Sequence, residues 1–264
     1  MDIQRFNTEP PKYLIINESS DGIVMAMEYD SIGWSNEEST VTKKFKFSEV
    51  DNTAEEIRKH LMKYYKYVGH NNTTRLDIDV KQWPTDAMKM KHMTNIKQWK
   101  VFINKYMCDE FMEFFKNSDH HISNLLLSNC VKISDQVTIH SSFFNTEGFR
   151  RLKMVYLSVK CEIESDDFMN LEKQFVYLTS WINFDDIRSK VRQWNSTVYS
   201  EDKCIMISVP NDDDRTFDIF DIFPTDVHTS TWFQKTVQIG KVTVVAGSLH
   251  KGKKFRMYVE KDIM

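Results

Sequence analysis

The sequence predicts an α/β fold: an irregular leucine-rich-repeat-like stack of strands and helices with a β-rich C-terminal region. Three observations support this prediction. A loose apolar repeat runs through the middle of the chain, strand and helix patterns alternate from about residue 53 to 195, and almost only strand patterns follow. Alternating strands and helices favour a largely parallel sheet backed by helices.

The repeat follows the spacing L-x-x-L-x-L-x-x-N, which is typical of leucine-rich repeats. Its matches begin roughly 23 to 30 residues apart, close to the period of roughly 20–29 residues in that class. One unit cannot bury its own apolar face, so units stack into a sheet. The alternative is an ordinary α/β core with strands of similar length. The matching positions are Ile96, Trp99, Val101 and Asn104; Ile122, Leu125, Leu127 and Cys130; Leu152, Val155 and Leu157; and Phe175, Leu178 and Asn183, with Leu76 and Ile78 opening the series.

The first part of the chain predicts a lead, three strands and a helix. Residues 1–11 are expected to be disordered. The dipeptide Asp21-Gly22 between apolar runs predicts a hairpin turn. Thr53 and Glu56 have the spacing of a capping box at a helix start. The predicted strands cover residues 13–16, 23–29 and 41–47, and the predicted helix covers 48–68.

In the middle of the chain the apolar period alternates between that of strands and that of helices. Strict alternation over 151–159 places Met154, Tyr156 and Ser158 on one face of a strand. The predicted strands cover 76–80, 99–103, 125–127, 151–159 and 176–179; the predicted helices cover 108–115, 166–175 and 184–194, with a short helix from Pro84 to near His92.

After Asn195 the pattern predicts an antiparallel meander, with strands over 204–209, 216–220, 232–240, 242–246 and 255–259. Turn residues at 211–214 and 239–241 separate some of these strands. Such a region suits the cap that an open terminal repeat needs. The predicted organisation is a lead at 1–11, an α/β repeat-like recognition domain at 12–195 and a β-rich cap or small subdomain at 196–264.

The composition excludes several classes of function. Among 264 residues there are seven glycines, and neither glycine-rich nucleotide motif occurs. The net charge of −3 gives no electrostatic case for nucleic acid. The four cysteines form no C-x-x-C pair, so we expect reduced thiols rather than a zinc module or a disulfide scaffold.

The N-terminus lacks the basic and apolar regions of a secretory signal. No apolar run approaches the roughly 18 residues that suggest a membrane span. We therefore expect a cytoplasmic or nuclear protein with no membrane partner.

No group of side chains predicts catalysis or a metal. His120 and His121 are adjacent on an extended segment and point to opposite faces, so they cannot easily chelate one ion. The acidic run 212–214 lacks the glycine and glutamate of a calcium loop. The aspartate pairs at 166–167 and 185–186 fit the starts of helices, where the helix dipole favours negative charge. We expect no catalytic residue and no cofactor; the alternatives are an enzyme with a carboxylate site and a nucleic-acid-associated protein.

Exposed strand positions predict a binding surface instead. Positions between the buried leucines of a repeat point to the concave face of the stack. Apolar and aromatic side chains there can anchor a protein partner, whereas most of the six tryptophans are expected in the core. The predicted partner-binding residues are Lys100, Phe102, Leu126, Ser128, Met154, Tyr156 and Ser158.

About two thirds of the chain, residues 13–195, resembles the F-box-associated regions expanded in nematodes, including the FTH type. The resemblance is carried by 21–24 (DGIV) with the strand to Phe47, 93–100 (MTNIKQWK), 149–157 (FRRLKMVYL) with 164–168 (ESDDF), and 181–187 (WINFDDI).

The resemblance implies an intracellular protein-recognition module. Members typically dock a Skp-type adaptor of a cullin ubiquitin ligase through an N-terminal F-box, and their C-terminal region is thought to bind substrates. The first residues here show no leucine- and proline-rich F-box helices. Substrate binding is therefore the expected role, and the resemblance carries over no catalytic residues.

Overall fold

The computed structural model describes residues 13–19, 22–29, 41–47, 55, 57–59, 62, 75–117, 119–129, 137–209, 222–223, 228–230, 234–248 and 253–260. Of the helix predicted within 48–68, residues 55, 57–59 and 62 are helical. Predictions outside the described residues are the lead at 1–11, the capping box of Thr53 and Glu56, the turn at 211–214, the strand at 216–220, Cys130, and two of the tryptophans, Trp34 and Trp232.

The chain folds as two compact units. The first comprises Met1–Val137 and Glu147–Arg151, and the second comprises Thr138–Thr146 and Leu152–Met264. The boundary predicted between residues 195 and 196 falls inside the second unit.

The first unit contains a mixed sheet in the order β6-β5-β4-β1-β2-β3. Strands β1, β4, β5 and β6 are parallel, and β1, β2 and β3 pair antiparallel. Ser19 pairs with Gly22, which confirms the hairpin predicted at Asp21-Gly22. The strands are β1 (Tyr13–Ser19), β2 (Gly22–Tyr29), β3 (Val41–Phe47), β4 (Arg75–Asp79), β5 (Gln98–Ile103) and β6 (Asn124–Asn129).

Positions that match in the apolar repeat pair across these parallel strands. One buried row runs through Leu76, Trp99 and Leu125. A second buried row runs through Ile78, Val101 and Leu127. The period of two along each strand therefore buries the same repeat positions on one face of the sheet.

The core of the first unit is completed by helices α1 (Thr85–Met88), α2 (Lys91–Thr94), α3 (Lys105–Asn117) and α4 (Glu147–Arg151). Helix α3 buries Phe111, Phe114 and Phe115 on one face, the spacing of an amphipathic helix. Phe114 stacks on Trp99 with ring centroids 5.8 Å apart, and Phe111 meets Trp83 edge-on at 4.9 Å.

Helix α3 begins three residues before its predicted start at Cys108. Asn104 Oδ1 accepts the backbone N–H groups of Tyr106 at 2.9 Å and Met107 at 3.2 Å. A side-chain acceptor at this position satisfies amides that a helix start otherwise leaves unpaired. The cap therefore fixes the start of the helix at Lys105.

In the second unit, parallel strands are followed by an antiparallel meander, and the order is β11-β12-β13-β14-β10-β9-β8, with β7 beside β8. Strands β7, β8, β9 and β10 are parallel, and the rest pair antiparallel. The strands are β7 (Thr138–Ile139), β8 (Met154–Cys161), β9 (Phe175–Thr179), β10 (Lys203–Ser208), β11 (His228–Ser230), β12 (Gln234–Ile239), β13 (Val242–Ser248) and β14 (Lys253–Val259).

The described helical residues of this unit form a 3-10 helix at Ser141–Phe143, α5 (Ser165–Met169) and α6 (Phe184–Ser196), and Ile222 is also helical. Helix α6 buries Ile187, Val191 and Trp194, and Asn183 caps its start by accepting the N–H of Asp185 at 2.9 Å. The buried rows of the parallel strands are Val155, Val176 and Ile205, and Leu157, Leu178 and Ile207.

The turn between β12 and β13 requires a glycine. Gly240 has a φ of +57°, in the left-handed region that favours glycine. A Cβ there would collide with the Asn195 side chain, whose Oδ1 accepts the N–H of Lys241 at 2.9 Å. Helix α6 thus holds the turn of the meander through one amide.

Two further predicted boundaries are wrong. The strand predicted from Arg151 begins at Met154, because the segment before it forms α4, with Arg150 and Arg151 in its last turn. The helix predicted over 166–175 ends at Met169. Phe175 instead pairs with Met154 on one side and Cys204 on the other, a non-local arrangement that overrides the local pattern.

Both units are mixed α/β, as the sequence predicted at the level of fold class. Within the described ranges, no helix combines the length and apolar character needed to cross a membrane.

Candidate partner-binding face

The second unit has a sheet face whose side chains alternate with the buried rows; we call it the open face. These side chains are exposed or half-buried, except for the buried Tyr177. The open face comprises Met154, Tyr156, Ser158 and Lys160; Phe175, Tyr177 and Thr179; Cys204, Met206 and Ser208; Lys254, Arg256 and Tyr258; Thr243, Val245 and Gly247; and Thr236 and Gln238.

A central row crosses the open face at right angles to the strands. Strand register places Tyr156, Tyr177, Met206, Arg256 and Val245 side by side. Because neighbouring strands lie ~4.8 Å apart, the row spans about 19 Å. It unites residues from five strands.

The two tyrosines of the central row are stacked. Their ring centroids are 4.2 Å apart and the ring planes differ by 9°. Tyr156 is 36% exposed and Tyr177 is 7% exposed. Burial, followed by the influence of Tyr177, raises the pKa of the Tyr156 phenol. The two rings therefore lie side by side across neighbouring strands β8 and β9.

Cations lie against the aromatic rings of the open face. The Lys254 Nζ is 5.9 Å from the Tyr177 ring centroid, and the Arg256 guanidinium carbon is 5.0 Å from that of Tyr258. Both distances are within the range of cation–π attraction. Burial raises the pKa of the nearby Cys204 thiol, and Arg256 partly opposes this shift.

The charges on the open face are of one sign. Lys160, Lys254 and Arg256 carry positive charge, and none of the face positions defined above is Asp or Glu. This face therefore presents cations among aromatic and thioether groups.

The sheet of the first unit differs because it carries a carboxylate, Asp77, between two cations. Asp77 lies 2.6 Å from Arg75 and 3.9 Å from Lys100. The Lys100 Nζ also lies 4.7 Å from the ring centroid of Phe102. Arg75 and Lys100 are thus engaged by a carboxylate on the same face, and Lys100 also by a ring.

The structure places the seven predicted partner-binding residues on two faces. Met154, Tyr156 and Ser158 lie together on the open face of the second unit; Lys100, Phe102, Leu126 and Ser128 are half-buried on the sheet face of the first.

Sequence reasoning missed Tyr177, Met206 and Arg256 as members of this surface. Their signal is the period of two within β9, β10 and β14, which identifies outward positions. That signal does not reveal which strands lie side by side.

The histidines and aspartates considered as candidate ligands occupy structural positions. His120 is buried and His121 is exposed, as expected for neighbours on an extended segment. The aspartate pairs at 166–167 and 185–186 lie in the first turns of α5 and α6. In the part of the chain that the structure describes, no group of three or more His, Cys, Asp or Glu side chains could hold a metal ion.

Three described cysteines are free thiols: Cys161 is buried, and Cys108 and Cys204 are half-buried. Burial raises the pKa of all three, that of Cys108 to about 11. Because the thiolate is the reactive form, these thiols are weak nucleophiles at neutral pH.

A wide, open cleft lies beside α5 and α6, with a volume of about 610 Å³. Trp181 and two carboxylates, Glu164 and Asp186, line it. The Ser165 hydroxyl donates to Asp186 Oδ2 at 2.7 Å, so that carboxylate is already engaged. Trp83, Trp99 and Trp194, by contrast, belong to the core.

Comparison with known proteins finds no match: no family model, no curated protein and no solved structure is significantly similar to this chain.

Proposed function

We propose that the protein is a non-enzymatic recognition module that binds a partner protein on the open face of its second unit. The central row carries the proposal. Tyr156, Met206 and Arg256 are of the residue types enriched at the centres of protein interfaces, where a few anchors supply most of the binding energy. Met154, which is 40% exposed, adds a flexible apolar group beside them.

We also propose that the architecture is an irregular leucine-rich-repeat-like stack. In-register burial of matching repeat positions supports this, and so do two buried polar residues that follow strands. Asn104 donates to the carbonyl oxygen of Val80 at 2.9 Å, and Ser180 donates to that of Cys161 at 2.8 Å. In each case a side chain at the end of one strand satisfies the carbonyl at the end of the preceding strand in the stack.

The resemblance to F-box-associated regions supports a more specific role. We propose that the partner is a substrate of a cullin ubiquitin ligase, and that the protein acts in the cytoplasm or nucleus. Docking to a Skp-type adaptor is part of the same proposal. Adaptor docking and substrate binding can be tested separately, because the proposal assigns only the substrate to the open face.

A native pull-down tests the proposal. The full chain serves as bait, and bound proteins are identified and quantified by mass spectrometry. We expect Tyr156→Ser to deplete the partners that the unaltered chain recovers, because it removes the most exposed ring of the central row. Tyr106→Ser is the matched control, since Tyr106 is 62% exposed on α3 of the first unit and is not part of the open face.

Equal recovery of all proteins by the unaltered chain and Tyr156→Ser would contradict binding on this face. Circular dichroism of both variants establishes that each remains folded. Recovery of adaptor and cullin with every variant would support ligase docking through a different surface. Recovery of a partner that depends on Tyr156, without adaptor or cullin, would support recognition and contradict ligase docking.

A further inference from the structure

We propose that the open face selects an acidic, extended segment of its partner, with Asp or Glu side chains that contact Lys254 and Arg256. This inference rests on the proposed function and specifies the chemistry of the partner at the same surface.

Charge complementarity is the first argument. Every charge among the defined face positions is positive, and none of these positions supplies a carboxylate to Lys254 or Arg256. On the sheet of the first unit, Asp77 supplies that carboxylate at 2.6 Å from Arg75. A partner with acidic side chains would supply a carboxylate to the open face, whereas a basic partner would be repelled.

The surroundings of Arg256 favour a carboxylate in particular. In the central row Arg256 is in register with the apolar residues Met206 and Val245, and its guanidinium carbon lies 5.0 Å from the Tyr258 ring centroid. Coulomb attraction is stronger where such groups displace water. A guanidinium also binds a carboxylate through two parallel N–H bonds, a geometry that lysine cannot form.

The arrangement of the rings disfavours a single-stranded nucleic acid, the other polyanion that an aromatic and basic sheet could bind. Such ligands stack their bases on open ring faces. The faces of Tyr177 are occupied by Tyr156 at 4.2 Å and by Lys254 at 5.9 Å. One face of Tyr258 is occupied by Arg256 at 5.0 Å. A peptide needs no free ring face, since it binds through hydrogen bonds and apolar contacts.

The test uses the immobilised full chain and a phage-displayed library of random 12-residue peptides. We expect the selected peptides to be enriched in Asp and Glu relative to the starting library. Charge reversal by K254E/R256E should weaken binding of the selected peptides about tenfold or more, equivalent to about 1.4 kcal/mol. When the K254E/R256E variant is the immobilised target, the selected peptides should instead be enriched in Lys and Arg.

Two further variants make the comparison specific. Arg256→Lys keeps the charge and removes the bidentate geometry, so it should bind acidic peptides more weakly than the unaltered chain and better than the reversed variant. Arg192→Glu reverses an exposed cation on α6 and should leave selection unchanged. Circular dichroism and thermal unfolding establish that each variant is folded.

The outcomes separate this inference from the proposed function. Selected peptides that depend on Tyr156 but show no acidic enrichment would overturn the acidic specificity and retain the binding face. Failure to select any peptide that depends on Tyr156 or Arg256 would overturn both. Tighter binding of a 12-nucleotide polyuridine than of any peptide, lost in K254E/R256E, would also overturn the inference.

Discussion

Asn104 Nδ2 donates a hydrogen bond to the carbonyl oxygen of Val80 at 2.9 Å. This bond joins the end of β5 to the end of β4 within the first unit. The Oδ1 of the same buried amide accepts the N–H groups of Tyr106 and Met107 and starts α3. One side chain therefore links two strands and a helix, which makes its loss informative.

Asn104→Ala should lower the free energy of unfolding by about 2–3 kcal/mol, because the helix loses its cap and the Val80 carbonyl loses its donor. Urea denaturation followed by circular dichroism measures the change. Asn95→Ala, at an exposed position after α2, is the control and should change stability by no more than about 0.5 kcal/mol. Similar losses for the two variants would contradict a linking role for Asn104.

Gly148→Ala should destabilise the protein although alanine favours helices. A Cβ at Gly148, within α4, would lie 2.6 Å from the Phe115 carbonyl oxygen and 2.8 Å from His120 Nε2. Overpacking of this kind costs about 1–3 kcal/mol and outweighs the roughly 1 kcal/mol by which alanine exceeds glycine in helix propensity. Thermal unfolding measures the change, with Glu147→Ala, exposed in the same helix, as the control. A melting temperature equal to that of the unaltered protein would mean that the contact relaxes at no cost.

Stability should fall as the pH falls from about 6.5 to about 4, because of His120. Burial lowers the pKa of this imidazole to about 4 in the folded protein. Its Nε2 donates to the Phe115 carbonyl at 3.2 Å, and its buried Nδ1 has no hydrogen-bond partner in the described structure. The unfolded chain takes up the proton near pH 6.5, so between these values the unfolded state binds more protons.

His120 therefore contributes fully to the free energy of unfolding above pH 6.5, and this contribution is lost as the pH approaches 4. The loss is roughly 3 kcal/mol at most. Unfolding by urea at a series of pH values measures the slope. His120→Gln should flatten it, whereas His121→Gln, at the exposed neighbouring position, should not. A slope that is the same in both variants would assign the pH dependence to other groups.

Lys190→Ala should lower the free energy of unfolding by about 2–4 kcal/mol through lost packing and an unpaired carbonyl. The fully buried Lys190 donates from Nζ to the Met169 carbonyl at 2.6 Å and to Glu172 Oε1 at 2.9 Å. Lys190→Met retains the apolar stem and should cost less. Arg192→Ala, exposed on the same helix, should change stability little. Equal losses for the alanine and methionine variants would show that the ammonium contacts, rather than the stem, determine the stability.

The sequence by itself determined the local features of this protein. The period of two placed Val155 and Leu157 on the buried side of β8, and the dipeptide at Asp21-Gly22 predicted the first hairpin. The strand positions of the apolar repeat matched across β4, β5 and β6. These features follow from neighbours along the chain, which set side-chain direction and turn geometry.

The tertiary structure alone decided which strands became neighbours. Pairing of β10 with both β9 and β14 brings Met206 between Tyr177 and Arg256, and so completes the central row. It also makes Phe175 a strand residue where the local pattern predicted a helix. Strand register and burial depend on residues far apart in sequence, and a local period of hydrophobicity carries no information about that choice.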